Sequence, residues 1–339
     1  MIRGRLGARA ADLLDCLLLS APPADRAPAG APPRDAGAAA GPALLELYAE
    51  ARRRTGQPLA ARAALALDAA LRSRRPAILT TGLVTPRIPR GETDGPPGAA
   101  VLARALALAA GVEVRLLTEP PVMPVQRAAL DALARGEGDG AAWRDRVQLE
   151  AFPADLPAAR AAARQLWAAL DPAAVVAVEK LGPNGRGVIH TMRGEDVTAR
   201  QARTDVLFGG AARRGVLRVG VGDRGNEIGM GGLLRAGRRC LCGCGGSIAC
   251  TTRADAPVVA HTSNWGSYGI VAALAAAHRR PDLLHRPAAE ARMLRAIVRA
   301  GARDGVTRRA TLSVDGGALA LQTALVAALR ALVRAAGPA

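Results

Sequence analysis

The chain has 339 residues, half of them apolar, which is enough for one large or two modest domains with a sizeable core and no need of disulfides. Its formal charge of +17 comes from 46 basic residues, of which only Lys180 is lysine, and aromatics make up 2%. So Arg-rich a bias with so few stacking side chains reads as coding pressure and speaks against a nucleic-acid partner. No uncharged apolar run reaches the roughly 18 residues of a membrane span, so a soluble protein with no membrane partner is expected.

In chain order, MIRGRLGARAADLLDCLLLS can form a short amphipathic helix, and the Ala/Pro/Gly-rich stretch after it should stay extended. Residues 1–40 are therefore expected to be a disordered, dispensable segment ahead of one domain over 41–336. Asp12 and Asp15 interrupt the apolar run and argue against a secretory signal. A cytoplasmic location is the expectation, with an Arg-bearing organellar presequence as the alternative. Further on, strand-like runs at 77–81, 112–118, 173–178, 216–221, 247–251 and 258–261 alternate with helical periods at 98–110, 125–134, 157–170, 265–278, 287–300 and 318–335. This alternation predicts a Rossmann-like α/β domain, a mostly parallel sheet covered by helices on both faces.

The chain is organised around GVLRVGVGDRGNEIGMGG, residues 215–232. A β-branched strand runs into a loop holding Gly220, Gly222 and Gly225, and Asn226 to Met230 can start a helix. Gly220-x-Gly222-x-x-Gly225 matches a dinucleotide fingerprint, but Asp223 inside the loop would repel a pyrophosphate and no acid stands about 20 residues on. Asp223, Asn226 and Glu227 at a strand end instead suggest a polar site.

Other polar groups also follow predicted strands. Glu92 and Asp94 lie in GETDGPPG, as a solvated turn or as catalytic carboxylates. Glu179 and Lys180 close the run AAVVAV, and Arg193 lies in the loop beyond. Asn264 stands at a helix start, as a cap or as a hydrogen-bond donor to substrate. Asp304 with Gly305, and Asp315 with Gly316-Gly317, are turn signals first and site candidates second. Cys240, Cys242, Cys244 and Cys250 crowd one region, yet C-x-C-x-C lacks the two-residue gap of zinc knuckles, so zinc is not expected. Free cysteines of this kind fit a reducing compartment.

GVGDRGNEIGMG resembles the GDGGNEIGMG signature of the D-glutamate cyclase family. Four further stretches match in order: GETDGPPGA (91–99), VEKLGPNGRGVIHTMRGEDVT (178–198), SNWGSYG (263–269) and GARDGVT (301–307). Two departures stand out: Arg224 where the family shows glycine, and Lys180-Leu181 where it shows Arg-Pro. The resemblance implies a hydro-lyase that closes D-glutamate to 5-oxo-D-proline with loss of water.

Such a reaction needs a neutral amine, a polarised distal carboxyl and a chain held folded. Glu227, Asp223 and Glu179 are candidate bases or amine holders. Glu92 and Asp94 are candidate substrate contacts, Lys180 and Arg193 candidate carboxylate anchors, and Asn226, Asn264 and the amides of Gly222 and Gly225 candidate oxyanion donors. These residues fix no cofactor, and Asp94, Asp223 and Glu227 leave room for an oxygen-ligated Mg²⁺ or Mn²⁺ in place of an arginine to polarise the carboxyl. The expected partner is a small amino acid, with the oligomeric state open. Two alternatives stand beside this reading: a nucleotide-dependent enzyme using Gly220 to Gly225, and a non-catalytic small-acid binding protein.

Overall fold

The strands that the β-branched runs foretell assemble into one six-stranded sheet in the order β3-β2-β1-β4-β5-β6, with every pair parallel. The computed structural model describes residues 7–20, 40–135, 137, 142–234 and 239–336. In chain order the elements are α1 (Ala8–Leu19), α2 (Ala40–Thr55), α3 (Leu59–Leu71), β1 (Ala77–Gly82), α4 (Pro96–Ala110), β2 (Val114–Thr118), α5 (Met123–Ala134), β3 (Val147–Ala151), α6 (Leu156–Leu170), β4 (Ala174–Lys180), α7 (Asp205–Arg214), β5 (Leu217–Gly222), β6 (Ala256–Val259), α8 (Ser263–His278) and α9 (Pro287–Arg299). A small antiparallel hairpin of β7 (Ser313–Val314) and β8 (Gly317–Ala318) precedes α10 (Leu319–Ala335).

Helices cover both faces of the sheet, unequally. Val176 and Val178 of β4 join the large core with α3, α4 and α8, and the side chains between them, Val175 and Ala177, join a smaller core with α6 and α7. The order reverses between β1 and β4, so the loops leaving their carboxyl ends diverge and open the crevice where such sheets take ligands.

Three expectations change. The helix foreseen from Asn226 does not form: Gly229 sits at φ 106°, and the segment instead bridges to Leu181 and Arg253. Residues 247–251 form no strand, because Cys250 N bonds to Gly225 O and Thr251 N to Pro183 O, both in loops. Residues 8–19 are neither disordered nor peripheral. Leu14 and Leu18 are buried, and the Asp15 carboxylate caps α3 by accepting from the amides of Leu59 (2.7 Å) and Ala60 (3.3 Å). Leu18 O also accepts from His261 N at 2.7 Å, tying α1 to the start of α8. The rest of the expected disordered segment, residues 1–6 and 21–39, lies outside the described residues. No described helix is long and apolar enough to cross a membrane.

Candidate active site

Four chain segments converge on the crevice. The loop after β1 carries Glu92 and Asp94, the end of β4 carries Glu179, the loop after β5 carries Asp223 and Glu227, and the β7–β8 turn adds Asp315. Glu92, Asp94, Glu179, Asp223 and Glu227 are all buried, and their mutual repulsion marks them as one cluster.

Glu179 reaches the cluster through a break in strand register. Thr81 pairs with Val178 and Gly82 with Lys180, so Glu179 is the extra residue of a bulge, at φ 43°. The bulge reverses the alternation beyond Val178. Glu179 turns to the α8 face, where its Oε2 accepts the Ser263 hydroxyl at 2.6 Å, and Lys180 turns to the opposite face. Gly95 leaves space for this arrangement. At φ 94° it leads into α4, and a Cβ there would lie 2.7 Å from Thr81 Oγ1 and 3.0 Å from Glu179 Cβ.

Each acid has its own environment. The Glu227 carboxylate accepts from the amides of Arg224 (3.0 Å) and Gly225 (2.7 Å), so it holds its own loop in shape. Gly222 permits this, since a Cβ there would lie 2.8 Å from Glu227 Oε2. Asp94 caps α8, with Oδ2 accepting from Ser263 N and Oδ1 from Asn264 N, both at 2.8 Å. Burial, then repulsion by Asp315, lifts both Asp94 and Glu92 well above the carboxylate range. Glu179 is raised by burial and then by Asp223 and Glu227. Burial pushes Asp223 up to about 8 against the pull of Arg224, whose Nε donates to it at 2.8 Å. Asp315 is pushed up to about 7, again by burial first and Asp223 second, with Arg224 Nη2 at 3.7 Å. Arg224 is thus the cation that touches this cluster.

Several candidates take other duties. Lys180 is fully buried on the far face, paired with Glu119 and donating to Gly82 O at 3.1 Å. Burial depresses it to about 7, with Asp205 opposing. It ties the ends of β1, β2 and β4 together, and so is not placed to anchor a substrate carboxylate. Asn264 is a pin: its Oδ1 accepts from the amides of Gly95 (3.0 Å) and Gly98 (2.7 Å), and its Nδ2 donates to Thr93 O (3.0 Å). It joins the starts of α4 and α8 and is not an oxyanion donor. Asn226 likewise donates to His190 O at 2.9 Å. No hydrogen bond or ion pair links the half-buried Arg193 side chain to the cluster.

Residue reading misses Glu119; it takes Asp315 as a turn signal before a site candidate and Ser263 as a helix cap, not as the donor to Glu179. Glu119 directly follows β2, the same strand-end position that exposed the others. Among the described residues, Glu179, Asp223 and Glu227 have carboxylate oxygens within 4.8 Å of one another. Glu179 thus replaces Asp94 in the trio able to hold a hard divalent cation, since it is Glu179 whose oxygens lie close to those of both Asp223 and Glu227.

A doubly wound parallel sheet thus gathers buried carboxylates at its switch point, where such sheets take small-molecule ligands. The family model described as "D-glutamate cyclase-like, C-terminal" matches residues 49–330, and the chain belongs to that family. It is 32% identical over 209 residues to the human protein named "D-glutamate cyclase, mitochondrial", over 59% of this chain and 32% of that protein. The chain therefore spans about a third of that relative's length.

Proposed function

We propose that this chain cyclises D-glutamate, or a close analogue, to 5-oxo-D-proline and water. The observation that carries the reading is the buried carboxylate cluster at the switch point, held next to Arg224. Ring closure removes two protons from the substrate ammonium and one oxygen from its distal carboxylate, which leave together as water. A group is needed that takes protons from nitrogen and returns them to the departing oxygen. Glu179 suits this role. Its proton affinity is raised by burial and by its neighbours, and among the described residues only its Oε2 is hydrogen-bonded. Glu92 and Asp223 can accept hydrogen bonds from the ammonium, whose charge would favour their ionised forms, and Arg224 replaces Lys180 and Arg193 as the carboxylate anchor. A Mg²⁺ or Mn²⁺ held by Glu179, Asp223 and Glu227 would polarise the reacting carboxyl.

The nucleotide reading is disfavoured, because Glu227 already occupies the loop amides of Arg224 and Gly225 that a phosphate would use. No partner beyond the amino acid is required, and five free cysteines fit the reducing cytoplasm. Incubation with D- or L-glutamate followed by chiral chromatography tests the reading. Lactam from the D enantiomer is expected. A folded protein yielding no lactam from either enantiomer, with or without Mg²⁺ or Mn²⁺, would overturn it and leave a binding protein.

A further inference from the structure

The cysteine-rich loop ends at a fourth ligand that the spacing of its own residues does not reveal. His190, buried in the loop after β4, directs Nε2 to Cys242 Sγ at 3.1 Å and Cys244 Sγ at 3.7 Å. Cys240 Sγ lies 3.2 Å from Cys244 Sγ, and these four donor atoms all fall within 4.8 Å of one another. Tetrahedral zinc, with Zn–S of about 2.3 Å and Zn–N of about 2.0–2.1 Å, sets donor separations of roughly 3.5–3.8 Å. The separations of 3.1, 3.2 and 3.7 Å lie within about 0.6 Å of these values, and every other pair is within 4.8 Å.

We propose that His190, Cys240, Cys242 and Cys244 form a structural Zn²⁺ site. This reverses the expectation drawn from the C-x-C-x-C spacing. Gly243 and Gly245, at φ 73° and 71°, curl the chain tightly enough for alternate cysteines to face one point, and the histidine from a different loop completes the tetrahedron. Four protein ligands leave no open position, so the site is structural and not catalytic.

Two further observations ask for a cross-link here. Segment 239–247 forms no helix or strand of its own, and its large apolar side chain, Leu241, is 72% exposed, so burial does little to order it. The His190 ring is buried with Nδ1 unpartnered, which leaves the Nε2 side to fix its orientation. Asn184 Nδ2, 3.6 Å from Cys244 Sγ, supplies the kind of outer contact that steadies a thiolate ligand. The site also bears on the acid pocket, because His190 O is the acceptor that holds Asn226 beside Glu227.

The test is metal analysis of the full chain purified under reducing conditions without chelator, with Co²⁺ replacement of the bound metal. One zinc per chain is expected, together with the intense visible bands and sulfur-to-metal charge transfer of tetrahedral Co²⁺–thiolate. Chelator should lower Tm. Zinc should be lost in Cys242→Ser and His190→Ala and kept in Cys16→Ser, whose cysteine lies in α1. Because the Co²⁺ spectrum is read on the unaltered protein, a misfolded variant does not blunt the test. Wild-type protein with reduced thiols that holds no zinc and gives no thiolate spectrum would overturn the site, as would a Cys240–Cys244 disulfide found with no metal.

Discussion

Replacing Glu179 by glutamine is the sharpest probe of the pocket. Gln keeps the length of the side chain, and its amide oxygen can still accept the Ser263 hydroxyl that lies 2.6 Å from Oε2. What disappears is the exchangeable proton and a charge repelled by Asp223 and Glu227. A positioned acid or base contributes about 10²–10⁴-fold, so turnover should fall by at least ~100-fold, or about 2.7 kcal/mol in the barrier. Because Gln is neutral at every pH, the variant escapes the repulsion and burial that raise Glu179, and stability should hold or rise. Glu227→Gln is the contrasting case. Both Glu227 oxygens accept backbone amides, so one end of a Gln would point an N–H at another N–H and cost about 1–3 kcal/mol of stability as well as turnover. Initial rates of lactam formation, with urea melts of both variants, separate the two. A Glu179→Gln protein within a fewfold of wild-type turnover would refute the proton-transfer role.

Three other outcomes follow from the structure. Lys180→Met leaves Glu119 buried without its partner and should cost about 3–5 kcal/mol in a urea melt, whereas a raised KM at unchanged stability would return Lys180 to substrate binding. Leu18→Ala empties a fully buried site against Gly269 and should cost about 2–5 kcal/mol, and an unchanged melt would show that α1 is not part of the core. Folded Asp223 (about 8) and Asp315 (about 7), with Glu92, Asp94 and Glu179 also raised, keep protons that the unfolded chain sheds above roughly pH 4. Their stabilisation is complete below that pH and is lost as pH rises, while His261, held down to about 4, and His190, also lowered by burial, oppose it as two groups against five and Lys180 opposes it only above about 7. Tm in divalent-free buffer should therefore fall between about pH 5 and 7, and a steady rise across that range would contradict the cluster.

The sheet was legible because its central strands are buried on both faces: AAVVAV admits little else, and β4 follows it. β3 escaped notice because VQLEA is a half-exposed edge strand with one large apolar side chain at each alternate position and no run. The acids of the pocket were legible as polar groups directly after strands, a local pattern. Their duties were not, because these depend on partners far along the chain. Lys180 looks like an anchor until Glu119 is found against it, and Asn264 looks like a donor until Gly95, Gly98 and Thr93 use its amide. The same limit hid His190 from the cysteines and α1 from α8.

The bulge at Glu179 gives β4 a phase as well as a sequence. Beyond Val178 the strand counts its faces in the opposite parity, and only in that parity does the acid fall among Asp223 and Glu227 and the cation against Glu119. Writing the pair as Lys-Glu would keep the same composition while delivering a cation to the acid nest and a second acid to Glu119. A backbone at φ 43° also tolerates Asn or Asp far better than any β-branched side chain. Relatives that keep the pocket should accordingly preserve the count of residues from the strand to the acid even where the neighbouring cation becomes arginine, and a family search weighted on that spacing would discriminate better than one weighted on identity.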